Sequence, residues 1–317
     1  MDYIDAIKDG FRVVHRAWQL VLVQLGMVVI SSIGFFILVG IPLAIAFVAF
    51  SIDLTGLAIK DILGLLKEPS ELISKYFWMF LMVISSLFIY ILIATMFSIY
   101  IFGGSIGVIG KVLRDKTLKF NMHIFFSEAK RLFLPVLGFT ATIGLILIAI
   151  AFFLGIMGGG IALLVSFVKT IDSTLALFIG FFFSLIVILL ALILIFSILS
   201  ISFYGVAAIS LKGTGSVKSL KEAINYITRH PKGFLLCSIL LLGYILISFL
   251  LILLGYPFRL IPVIGPTLSF PYQLINYIFQ TYIGLAFIST LFTYYYSTEM
   301  LNEQIGESST TQATNAD

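Results

Sequence analysis

Six stretches of the 317-residue chain contain no Asp, Glu, Lys or Arg: 17–52, 76–110, 132–168, 173–211, 233–258 and 260–298. No other feature limits the fold so strongly. Each stretch is at least as long as the roughly 20 apolar residues that cross a hydrocarbon core of about 30 Å. In hydrocarbon the backbone must satisfy its own hydrogen bonds, so a spanning segment is a helix or part of a closed barrel. Barrel strands read as short alternating segments, whereas these are continuous runs of Leu, Ile, Phe and Val. Only 11% of the residues are charged, against about 25% in soluble domains. The sequence therefore predicts an all-α integral membrane protein with six transmembrane helices. The first 16 residues mix Asp2, Asp5 and Asp9 with Lys8, Arg12 and Arg16, and the apolar run behind them is too long for a signal peptide.

The basic residues alternate from one side to the other. Segments 1–16, 103–131 and 205–232 hold 14 of the 19 Lys and Arg; the remainder are Lys60, Lys67, Lys75, Lys169 and Arg259. Excess Lys and Arg mark the cytoplasmic side. The reading is a multi-pass protein of the inner, cytoplasmic membrane with both termini in the cytoplasm. Gly40–Pro42 and the triple glycine 158–160 interrupt two of the windows. The apolar residues beyond each are few for a full crossing, so 43–52 and 161–168 read as short outer helices at the membrane surface. Re-entrant or spanning courses are the alternatives. The tail 302–317 is polar and acidic and is expected to be disordered.

Three units organise the membrane part, 1–301, at about 1–110, 111–212 and 213–301. "FGGSIGVIGK" (102–111) aligns with "FYGVAAISLK" (203–212), matching Phe102 with Phe203, Gly104 with Gly205 and Lys111 with Lys212. Each unit begins with a cytoplasmic interfacial amphipathic helix carrying one apolar stripe. The stripes are Ile4, Ile7, Phe11, Val14 and Trp18; Met122, Phe125, Ala129 and Leu132; and Val217, Leu220, Ile224 and Ile227. Basic pairs end the three helices, at His15–Arg16, Lys130–Arg131 and Arg229–His230. Pro135 and Pro231 follow the second and third pairs, where a break turns the chain into the bilayer. Such helices favour anionic lipid, with Arg16, Lys130, Arg131, Arg229 and Lys232 as the expected headgroup contacts.

The glycines at 103–110 suggest a phosphate loop, but the spacing excludes one. The loop requires G-x-x-x-x-G-K-[ST] between a strand and a helix. Here Ser105 stands five before Gly110, and Val112 follows Lys111. Gly103, Gly104 and Gly107 instead share a helix face, and small residues on one face let membrane helices approach closely. No charge lies inside the windows. The polar candidates are amides: Gln19 and Gln24 on the first span, and Gln273, Asn276 and Gln280 at three- and four-residue spacing on the last. Gln24, Gln273, Asn276 and Gln280 form the candidate polar pocket. The single Cys237, and three histidines on three separate segments, supply no expected metal site, catalytic set or cofactor. The aromatic residues read as an interface belt, not a nucleic-acid platform.

The segments "FGGSIGVIGK…HIFFSEAKRLFLPV" and "FYGVAAISLK…SLKEAINYITRHPKGF" resemble a prokaryotic six-span family likened to the membrane domain of glycerophosphoryl diester phosphodiesterases. The likeness covers the membrane part. It implies a module without the catalytic barrel, hence no enzyme. The expected function is a membrane scaffold or accessory protein that contacts lipid, a protein partner or a second copy. The alternative is a permease for a lipid-like or small amphipathic solute, with the site between repeats. The topology is checked with single cysteines at positions 60, 116 and 169. Position 116 should be labelled only from the cytoplasm and 60 and 169 only from outside; the reverse overturns the orientation.

Overall fold

The computed structural model describes residues 2–55, 69–260 and 265–300. The tail 302–317 and the connector lysines Lys60 and Lys67 lie outside them. Among the described residues every regular element is helical: α1 (Tyr3–Arg16), α2 (Gln19–Phe35), a π turn (Phe36–Gly40), α3 (Ile41–Thr55), α4 (Pro69–Arg114), α5 (Met122–Lys169), α6 (Ser173–Lys212), α7 (Ser216–Arg229), α8 (Pro231–Leu260), α9 (Gly265–Tyr295) and a π turn (Tyr296–Met300). Six helical stretches are long and apolar enough to cross a membrane: Gln19–Ser51, Tyr76–Arg114, Met122–Lys169, Ser173–Lys212, Pro231–Pro257 and Pro271–Met300. The protein is therefore a multi-pass helical protein of membrane type.

The chain separates into two compact units, one of Leu22–Ile101 and one of Met1–Val21 with the residues from Phe102 onward. In the first, Tyr90 joins its two helical runs. Its hydroxyl shares a 3.0 Å hydrogen bond with Ser31 Oγ, and its ring meets Phe35 edge-on at 5.2 Å. The second unit is built on two hairpins, α5–α6 and α8–α9, with α1 against α9 and α7 against α6 and α5.

The expected breaks in the spans are absent. At Gly40–Pro42 the helix continues through the π turn into α3, so 43–52 is helical and continuous with the first span. Pro42 has no N–H to give to the helix, and a π turn is a usual adjustment at such a site. The triple glycine at 158–160 lies inside α5, which runs unbroken for 48 residues. An added Cβ at any of the three meets nothing within 4 Å. Glycine costs about 1 kcal/mol per residue in a helix, less than the several kcal/mol of one unsatisfied backbone group in hydrocarbon. The expected outer helix at 161–168 is thus the last part of α5. The hairpin closes in a tight turn at Thr170–Asp172. Asp172 caps α6, accepting hydrogen bonds from Thr174 N at 2.7 Å and Leu175 N at 3.2 Å.

Nor does Pro135 break the chain. The interfacial helix expected at the stripe 122–132 is the start of α5, capped by Asn121, which accepts from His123 N at 2.9 Å. The helix is packed on both sides of the proline, where Leu132, Val136 and Phe139 are buried. Ser216 Oγ donates to the Pro135 carbonyl at 2.8 Å. At Pro231 the expected break does occur: α7 ends at Arg229 and Pro231 opens α8, the first-turn position where its missing N–H costs nothing.

Buried residues concentrate at the ends of the hairpin helices that carry the basic residues. On α5 they run from Phe125 to Ile143, and on α6, apart from Ala176, from Ile198 to Leu211. Between these, 144–169 and 173–197 turn bulky groups such as Leu145, Phe152, Phe167 and Phe181 outward. A 26-residue helix is about 39 Å long, close to the 40–45 Å of a bilayer with its headgroups. The charge-free windows exceed a span because their surplus forms a protein core at the basic end. Replacing Gly159 by Ala tests the continuity of α5. A helical, unobstructed site predicts a gain of about 0.5–1 kcal/mol, read as a raised Tm in detergent; a lowered Tm would mean that the helix is broken there.

Candidate functional site: the packed basic end

The core at the basic end is assembled by small residues. On α4, a Cβ at Gly103 would meet Leu132 at 3.6 Å, in ordinary contact. At Gly104 it would stand 2.6 Å from the Phe125 ring, and at Gly107 2.5 Å from Glu128 Cβ. The three glycines lie against the first turns of α5, and Gly110 lies against Ser210 of α6. Ser210 Oγ donates to the Ile106 carbonyl at 2.8 Å, tying α6 to α4. Gly205, the counterpart of Gly104, packs under the Phe139 ring. Gly10 on α1 lies on Thr290 of α9, where a Cβ would be 2.7 Å from its backbone.

Two carboxylates are gathered into this end. Glu128 is 2% exposed, with Lys111 Nζ 2.7 Å from one oxygen and Arg131 Nη2 2.5 Å from the other. Glu299, on the turn that ends the last span, lies 3.6 Å from Lys212 Nζ and 3.5 Å from His230 Nε2. Lys111 and Lys212, matched by the sequence comparison, each meet a glutamate. Beside Glu299, Tyr204, Tyr226 and Tyr295 pack ring to ring; Tyr226 stands 4.7 Å from Tyr204 and 4.8 Å from Tyr295. Tyr226 OH shares a 2.8 Å hydrogen bond with Thr298 Oγ1, and Tyr204 OH donates to the Gly233 carbonyl at 2.8 Å. Burial pushes the Tyr226 phenol well above the usual tyrosine range, with the Thr298 bond acting against that shift. These groups are placed to hold four chain segments together.

The amides of the last span fall elsewhere. Gln280 Nε2 donates to Asn276 Oδ1 at 3.2 Å. Gln273 is exposed, and it borders with Asn276 a pocket of about 50 Å³ closed by Ile252, Gly255, Ser269 and Tyr272. Gln24 belongs to the other compact unit and is half-buried. Of the expected headgroup contacts, Lys130, Arg229 and Lys232 are exposed. Arg131 is engaged by Glu128, and Arg16 donates to the Lys116 carbonyl at 3.3 Å.

The apolar stripes are divided between two faces. On α1 the buried line is Ala6, Gly10, Val13, Val14 and Ala17, while Ile4, Phe11 and Trp18 are exposed. On α7 the buried residues are Ser219, Ala223 and Tyr226, while Val217 and Ile224 are exposed. Only at the start of α5 do stripe residues Phe125, Ala129 and Leu132 go inward together. Bulky apolar residues mark the stripes in the sequence, whereas close packing uses small ones. A usable signal was present: an acid followed by alanine recurs as Asp5–Ala6, Glu128–Ala129 and Glu222–Ala223, and each alanine is fully buried.

No protein-family model matches the chain, and no characterised protein or solved structure does. The glycine contacts order the effects of substitution. Gly107→Ala should lower stability by about 1–3 kcal/mol through overpacking, and Gly103→Ala should leave it nearly unchanged. Thermal melts of the purified protein measure both; equal tolerance would mean that α4 and α5 do not meet as described.

Proposed function

We propose that the protein is a non-enzymatic membrane scaffold, anchored by its spans and organised by a packed base at the cytoplasmic surface. One observation carries this reading. The exposed apolar length of hairpin α5–α6 fits one bilayer, while the buried core and the ion pairs gather beyond one end of that length. A core outside the hydrocarbon needs no lipid to form and presents a rigid surface to whatever binds there. On this reading both termini are cytoplasmic, since the base carries the basic segments. The helices α1 and α7 and the start of α5 act as three equivalent supports, each placing a buried alanine on a neighbouring helix. The organisational resemblance to the membrane domain of glycerophosphoryl diester phosphodiesterases agrees with a module lacking catalysis.

The permease reading asks the amides of the last span to line a solute path. Those amides adjoin a pocket of about 50 Å³, whereas small-molecule sites are typically 300–1,000 Å³. Proteoliposomes carrying a fluorescent phospholipid separate the two readings. Transbilayer exchange should be no faster than in protein-free vesicles. Faster exchange that disappears in a Gln273→Leu/Asn276→Leu variant would replace the scaffold with a lipid path.

A further inference from the structure

The chain turns from α1 into α2 beside the loop that joins α4 to α5, and the two together concentrate positive charge. Arg16, in the last turn of α1, donates to the Lys116 carbonyl at 3.3 Å. Arg114, the last residue of α4, and Lys116 and Lys119 on that loop are exposed. The acids nearby are already engaged. Asp115 accepts from the Thr117 N–H at 2.9 Å and hydroxyl at 2.6 Å, which holds its carboxyl below the usual range. Asp9 pairs with Arg12 at 2.6 Å. Asp2 caps the first N–H of α1, and Asp5 lies eleven residues from Arg16, about 16 Å along a helix. Among the described residues Arg114, Lys116 and Lys119 have no carboxylate partner. Their exposed charge is open to an external anion.

The apolar side of the same corner indicates where the anion comes from. Ile4, Phe11 and Trp18 recur at seven-residue spacing and form an exposed line. The opposite face of α1 is occupied by α9 through Gly10 and Thr290. Trp18 is 49% exposed and immediately precedes α2, an apolar helix. A tryptophan at the mouth of a span sits at headgroup depth, and cations there meet lipid phosphate.

We propose that the exposed line of α1 and the α4–α5 loop form a binding surface for anionic phospholipid of the adjoining leaflet. The phosphate lies among Arg16, Lys116 and Lys119, and the acyl chain lies against Trp18. Arginine and lysine both pair well with phosphate oxygens through charge-assisted hydrogen bonds. The inference rests on the reading that the packed base lies at the bilayer surface.

Trp18 reports on both. The chain has two tryptophans, and the exposed Trp78 can become Phe, leaving Trp18 as the only one. The full-length Trp78→Phe protein is placed in nanodiscs containing chain-brominated phosphatidylglycerol or brominated phosphatidylcholine at equal mole fraction. Brominated phosphatidylglycerol should quench Trp18 more strongly, to the extent of about a five-fold local enrichment per engaged cation. Adding Lys116→Gln and Lys119→Gln on the exposed loop should bring the two lipids to parity while leaving quenching by phosphatidylcholine unchanged. Equal quenching in the Trp78→Phe protein overturns the headgroup preference but leaves the surface reading standing. No quenching by either lipid overturns both.

Discussion

A backbone amide in hydrocarbon has no water to turn to. That constraint decides most of this structure. It explains why helices run through residues that end helices in water. Pro42 and three consecutive glycines lie inside continuous helical runs. In water each would invite a turn, because a freed carbonyl can bind solvent at little cost. In lipid the same carbonyl costs several kcal/mol, more than the propensity penalties of glycine and comparable to that of proline. Continuity is the cheaper solution wherever no other partner is at hand. At Pro231 the chain does break, and there the break lies at the basic end, beside Tyr204 and His230.

The same constraint leaves little to hold the helices together at mid-span. Lipid tails are as apolar as leucine, so burying leucine against leucine gains little there. The structure places its packing where other forces are available. At the basic end glycine, alanine and serine bring backbones together, hydroxyls bridge helices, and carboxylates meet lysine and arginine. Glu128 shows the trade involved. A carboxylate that is 2% exposed is costly alone, and it is retained because two cations stand against it. Removing either cation would leave the charge short of compensation, a loss larger than the net worth of the pair.

These two regimes explain what the sequence revealed and what it hid. The six spans, their bounds at charged residues and the glycine face were legible, because charge exclusion and small-residue spacing are local properties. The connectors were misread for a physical reason. Windows of 37 and 39 residues at 132–168 and 173–211 are too long for one crossing. The triple glycine at 158–160 suggests an outer surface helix as the place for the surplus of the first. The fold assigns it to a buried core at the opposite end. Composition cannot separate those outcomes, since a lipid-facing residue and a core residue are equally apolar. The phase of the α1 stripe was missed in the same way. Ile4, Phe11 and Trp18 outweigh Ala6, Gly10 and Ala17 in hydrophobicity, yet only the small set lets α1 reach Thr290.

Where the polar groups end up bears most directly on function. Polar groups held at mid-span carry a high cost and mark solute or ion paths. Here the charged and aromatic clusters lie at one end, and the last span's Gln280 bonds Asn276 one turn away. The carboxylates of that end are answered from within the chain: Glu128 by Lys111 and Arg131, and Glu299 by Lys212 and His230. With its acids consumed internally, the base turns the remaining cations outward, among them Lys130, Arg229 and Lys232. Each of these carboxylates meets two basic groups, so neither leaves its charge unbalanced. Folding therefore draws on the same basic residues that mark this end in the sequence: Lys111, Arg131 and Lys212 are spent on carboxylates, while Lys130, Arg229 and Lys232 stay exposed.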